Sequence, residues 1–113
     1  MKVSDYSFGS MKVGDKKISS DIIVHGDWIH DWWRESGHRV VTVDLKEIAR
    51  RNPAIIVFGC GASGMMTVSA EAKQHLQQQG IDCETYNTGK AVKRYNQLLK
   101  EGKNVAGAFH LTC

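Results

Sequence analysis

Pro53-Ala54-Ile55-Ile56-Val57-Phe58-Gly59-Cys60-Gly61-Ala62-Ser63-Gly64 decides the fold of this chain. Its five apolar residues, Ala54–Phe58, are bounded by the only proline and by a glycine-rich run. An unbroken apolar run of this length reads as a strand covered on both faces, the kind found in parallel sheets. Downstream, Val68, Ala72 and Leu76 recur at helical spacing, with Ser69 as N-cap and Gly80 just past the end. Ile81–Tyr86 reads as the next strand. A third helix follows, capped by Thr88 and stopped by Gly102, with Ala91, Val92, Tyr95, Leu98 and Leu99 on its inner face. Val105–Leu111 is the last apolar strand. Upstream, Asp44 and Glu47 have capping-box spacing and open a helix carrying Leu45, Ile48 and Ala49, which Pro53 ends.

The region before residue 40 has a different period. Lys17–Val24 and Trp28–Arg34 are short alternating runs punctuated by Gly9, Gly14, Gly26 and Gly37, and they read as an antiparallel hairpin or meander. Strands alternating with helices imply βαβ units with right-handed crossovers. The expected architecture is an α/β fold of three layers, a mostly parallel βαβαβ sheet flanked by helices, with the N-terminal antiparallel hairpin added. At 113 residues, without repeat or linker, residues 1–113 form one domain.

Composition narrows the function classes. A membrane-spanning helix needs ~20 apolar residues, and the longest run here is five. Met1-Lys2-Val3-Ser4-Asp5 has no apolar leader, and three cysteines suit a reducing compartment, so a cytoplasmic location is expected. A net charge of +3, from 15 basic and 12 acidic residues, does not demand a polyanionic partner, and nucleic acid is not expected.

Much of the chain resembles one family. Thr88-Gly89-Lys90-Ala91-Val92-Lys93-Arg94-Tyr95-Asn96, Glu101–Ala106 and the ending Ala108-Phe109-His110-Leu111-Thr112-Cys113 carry the likeness. Phe8-Gly9-Ser10, Trp33–His38 and Ile55–Gly61 extend it to nearly the whole length. The family is the adipogenesis-associated, MTH-type domain family of unknown function, which also contains an assembly factor for mitochondrial respiratory complex I. The resemblance implies a mixed central sheet with helices on both sides, and a role in binding or assembling other proteins.

Each chemical motif has a plainer reading. Gly59–Gly64 fits the glycine pattern of dinucleotide sites, but the next helix signal waits until Ser69, so no helix N-terminus meets a pyrophosphate. The acidic residue at the usual distance, Glu84, falls in the middle of a strand. No cofactor is expected, and the glycines read as a tight strand exit. His25, His30 and His38 lack zinc spacing, and His110 with Cys113 is a single pair, so no metal is expected either. No acid–base pair follows from spacing, and no reaction class is assigned.

Two functional readings remain. The leading one is a non-catalytic interaction or assembly module, self-associating or binding another protein through Trp32, Trp33 and Arg34, since exposed aromatics beside arginine are interface composition. The alternative is a small anion or metabolite at the carboxyl ends of the parallel strands. Gly61, Ser63, Thr88 and His110 would line that site.

Overall fold

The structure, a computed structural model, describes residues 1–113. Strands β1 (Val3–Ser7), β2 (Ser10–Val13), β3 (Lys16–Ile18), β4 (Ile22–His25) and β5 (Trp28–Asp31) come first. Then follow β6 (Arg39–Val40), a 3-10 turn (Thr42–Leu45), helix α1 (Lys46–Arg50), β7 (Ile55–Cys60) and β8 (Thr67–Val68). Helix α2 (Ala70–Gln78), β9 (Asp82–Tyr86), helix α3 (Thr88–Lys100) and β10 (Val105–His110) complete the chain. No helix is long and apolar enough to cross a membrane.

The fold is α/β, and its main sheet has the order β5-β4-β10-β7-β9. β10 and β9 pair parallel to β7, whereas β4 pairs antiparallel to β10 and β5 antiparallel to β4. The sheet is therefore mixed, which corrects the expectation of a mostly parallel one. The cause lies in β4: Ile22, Ile23 and Val24 are all buried, so this strand is covered on both faces and belongs in the main sheet. The expected N-terminal meander is thereby divided. β1, β2 and β3 form a separate antiparallel sheet, and Ser19-Ser20-Asp21 breaks the Lys17–Val24 run between β3 and β4.

Alternation along the central strands sends side chains to two cores. Ile56, Phe58, Ala106 and Ala108 meet Leu45, Ile48, Ala72 and Leu76 on one face. Val57, Val105 and Phe109 meet Ala91, Val92, Tyr95 and Leu98 of α3 on the other, where Val3, Met11 and Val13 of the small sheet close the cluster. Gly107 is required here, because a Cβ at that position would overlap the buried Phe109 ring.

Two helix starts differ from expectation. α3 is capped by Asn87, whose side chain accepts from the Lys90 amide at 3.0 Å, and Thr88 is drawn inside. Asp44 accepts from the amides of Val41 (2.9 Å) and Glu35 (3.1 Å), so it caps the 3-10 turn before α1 and ties down the loop after β5. Ser69 caps α2 as expected, accepting from Ala72 N–H at 3.0 Å.

Candidate functional site

Strand directions determine what meets at the carboxyl end of β10. Ile22 lies opposite Phe109 and Asp31 opposite Ile22, so the start of β4 and the end of β5 both reach the edge where β7, β9 and β10 terminate. Asp21 and residues 32–38 thereby join His110 and the Gly61 loop. β7 and β10 are also neighbours at the reversal of strand order, where open α/β sheets place their sites.

Asp21 is the centre of this cluster. Its Oδ1 accepts from Leu111 N–H at 2.9 Å, and its Oδ2 stands 2.7 Å from both Arg34 Nη2 and His110 Nδ1. The two hydrogens of Arg34 Nη2 go to Asp21 and to the Gly37 carbonyl (3.1 Å), leaving none for His110 Nδ1, 3.1 Å away. The imidazole proton therefore sits on Nδ1, donating to Asp21, and Nε2 is left to accept from the Thr112 hydroxyl, 3.5 Å away. Burial pushes the Asp21 carboxyl up, but hydrogen bonds from His110, Leu111 and Arg34 outweigh it and hold the group below its ordinary range.

Arg34 is buried, with its side chain only 6% exposed. Its guanidinium carbon sits 4.5 Å above the Trp32 ring, and Nε and Nη1 have no partner. Trp32 is also buried, with its backbone N–H donating to Asp21 O and its indole N–H to Asp44 O, both at 3.0 Å. Between these two anchors Trp33 is 84% exposed. Of the three residues expected at an interface, then, Trp33 alone reaches solvent. Strand alternation is not the reason, since β5 ends at Asp31; the reason is that Trp32 and Arg34 each find an inward partner.

The expected ligand residues also separate. Gly61, Thr88 and His110 converge, whereas Ser63 lies exposed in the loop. Thr88 is completely buried; its hydroxyl donates to His110 O (2.6 Å) and accepts from Gly61 N–H (2.8 Å), while its amide donates to Gly61 O (3.0 Å). It keeps no donor for an anion. Gly61 has φ +97°, and a Cβ there would lie 2.5 Å from the Cys113 carbonyl. The depression expected between these residues is filled by the chain itself, and Thr88 is a strut joining the ends of β7 and β10.

The remaining reactive groups lie around this strut. Cys113 Sγ is 3.4 Å from His38 Nε2, and the His38 ring meets the His110 ring edge-on at 5.9 Å. Nowhere do three His, Cys, Asp or Glu side chains converge in a way that could hold a metal ion. Glu84, the residue a dinucleotide ribose would need, is engaged by Arg94 at 2.8 and 3.1 Å and by Tyr86 at 2.6 Å. Those bonds, Arg94 first, hold its carboxyl below the ordinary range. Sequence reasoning missed Asp21 altogether. Its one signal was a carboxylate immediately before the apolar Ile22–Val24 run, which on its own reads as a turn residue.

Solved structures share this fold. The conserved hypothetical protein PH1505 from Pyrococcus horikoshii OT3 is 22% identical over the whole of both chains, with a TM-score of 0.86. A protein described as MT938 is 28% identical, covering 99% of this chain and 98% of its own, with a TM-score of 0.84. A Bordetella pertussis protein described as a Mth938-like domain is 19% identical over 96% of this chain and 84% of its own, with a TM-score of 0.78. The family model described as protein of unknown function (DUF498/DUF598) matches residues 3–110, and the chain belongs to that Mth938-type family.

Proposed function

We propose that this protein is a non-catalytic interaction module of the adaptor or assembly type, which docks a partner protein on the surface around Trp33. The observation that carries this reading is a fully displayed indole on a backbone that cannot move away. Trp33 is 84% exposed, while Trp32 and Arg34 on either side are buried and hydrogen-bonded. A tryptophan on a mobile loop would lose backbone freedom on binding; here the neighbours on both sides already hold the backbone, which lowers that part of the cost of association. Val43, 57% exposed, shares a shallow depression of about 150 Å³ with Trp33, and His30, Asp31, Lys46 and Glu47 stand around them. An apolar centre within a polar rim is the anatomy of a protein contact.

The test pairs Trp33→Ala with the wild type. Affinity capture from native lysate identifies the partner, and titration of the purified pair measures the contact. A hot-spot tryptophan contributes ~2 kcal/mol or more, about 30-fold in Kd. The substitution should weaken binding by at least that factor and leave the unfolding midpoint unchanged. Concentration-dependent sedimentation of the protein alone, abolished by Trp33→Ala, would identify the partner as a second copy. Equal affinity of wild type and variant for every captured protein, with no self-association, would sink the proposal.

A further inference from the structure

We infer that a second, separate site binds a small organic carboxylate, in a crevice on the far side of the Gly61–Gly64 loop from the Asp21 cluster. The crevice has a volume of about 450 Å³ and lies at the carboxyl ends of β7 and β9, where the Gly64 loop, β8 and α2 close over them. This volume falls within the ~300–1,000 Å³ range of small-ligand pockets. Its lining divides into two chemistries. Cys60, Met66 and Val68 supply an apolar floor, all three of them buried. Lys73 and Asn87 supply polar groups at the wall.

The chemistry of the occupant follows from this lining. Lys73 is the only charged residue among those lining the crevice, no carboxylate accompanies it, and it has no ion-pair partner. Lys73 is exposed, and its ammonium at the rim above a buried apolar floor fits a ligand with one anionic head in solvent reach and an apolar body. A free phosphate or a polyanion would waste the floor and meet only one cation. Cys60 adds an intrinsic reporter. It is only 5% exposed yet lines the crevice, and burial pushes its pKa up, while the Tyr86 N–H, Lys73 and Arg34 pull the other way without prevailing. It is a neutral soft surface at the bottom of the site, and a bound molecule would cover it.

This site shares no residue with the Trp33 surface, so the two stand or fall separately. The test is an NMR amide titration of the intact protein with acetate, butyrate, hexanoate and inorganic phosphate at constant ionic strength. The perturbed amides should be those of Gly64, Thr67, Lys73, Thr85 and Asn87. Affinity should rise with chain length, by at most about fourfold for each added methylene, the equivalent of about 0.8 kcal/mol for a fully buried CH₂. Lys73→Met keeps the stem and removes the charge; it should weaken hexanoate binding about tenfold or more and leave hexanamide binding unchanged. Hexanoate should also shift the side-chain β-carbon resonance of Cys60 and leave that of exposed Cys113 in place. Shifts scattered over the surface lysines of α3, phosphate binding as tight as hexanoate, or no saturation by millimolar hexanoate would each overturn the inference.

Discussion

Replacing Asp21 by Asn tests whether the cluster at the end of β10 is organised by one carboxylate. The substitution keeps the size of the side chain and an acceptor for the Leu111 amide. It removes the charge, and it turns Oδ2, the one acceptor that Arg34 and His110 share, into a donor. His110 can answer by moving its proton to Nε2, but Arg34 has only donors. With its side chain 6% exposed, the guanidinium is left buried without a counter-charge. Breaking such a pair costs ~3–5 kcal/mol, and since Asp21 itself is 20% exposed, water relieves part of this, so about 3 kcal/mol is expected.

The assay is urea unfolding at several pH values. Asp21 is depressed in the folded state, so its contribution is fully present above its unfolded pKa and is lost as pH falls through the folded one. The gap between wild type and Asp21→Asn should therefore be widest at neutral pH and should narrow below about pH 4, where an unfolded aspartate begins to protonate. Adding Arg34→Met should recover part of the loss, because the buried charge goes while an apolar side chain still occupies part of the space beside Trp32. A loss under about 0.5 kcal/mol at pH 7, or a gap that does not change with pH, would show that the carboxylate does not organise this edge.

Three further substitutions probe the frame around the site. Thr88→Val removes the hydroxyl that joins Gly61 N–H to His110 O and should cost about 2–4 kcal/mol by calorimetry, since both buried partners lose their bond. Gly61→Ala puts a Cβ 2.5 Å from the Cys113 carbonyl at φ +97°, and the strain alone should cost ~1–3 kcal/mol, with amide shifts propagating to residues 110–113. Leu98→Ala, truncating a side chain buried between α3 and the sheet, should cost ~2–5 kcal/mol in urea unfolding; a loss under about 0.5 kcal/mol would mean that α3 does not pack as described.

After residue 50, β7, α2, β9, α3 and β10 were legible because each carries its own local signal, whereas β8, whose Val68 reads as part of the α2 stripe, pairs with β6 instead. The apolar run Ala54–Phe58, set between Pro53 and Gly59, reads as a covered strand and is buried from Ile56 onward. The stripe Ala91, Val92, Tyr95 and Leu98 reads as the buried face of a helix. The errors arose where long-range pairing outweighed those signals. Thr88 has a good N-cap side chain, yet its hydroxyl forms a buried bridge to His110 O, 22 residues away, and Asn87 takes over the cap. Arg34 beside two tryptophans reads as a surface patch until Asp21 is known to stand 2.7 Å away.

The site is harder to read than the fold because it exists only through the antiparallel docking of β4 on β10. Asp21 and His110 are 89 residues apart and Arg34 and His110 are 76 apart, so no motif spacing contains them. A parallel β4 would carry Asp21 to the opposite edge of the sheet and leave Arg34 and His110 without their carboxylate. Hydrophobic periodicity is blind to that choice, since Ile22–Val24 is equally apolar in either direction. The antiparallel register is the one that brings Asp21 to the ends of β5 and β10, where it accepts its three hydrogen bonds. The same carboxylate thus holds Arg34 inward, while Trp33 beside it stays 84% exposed.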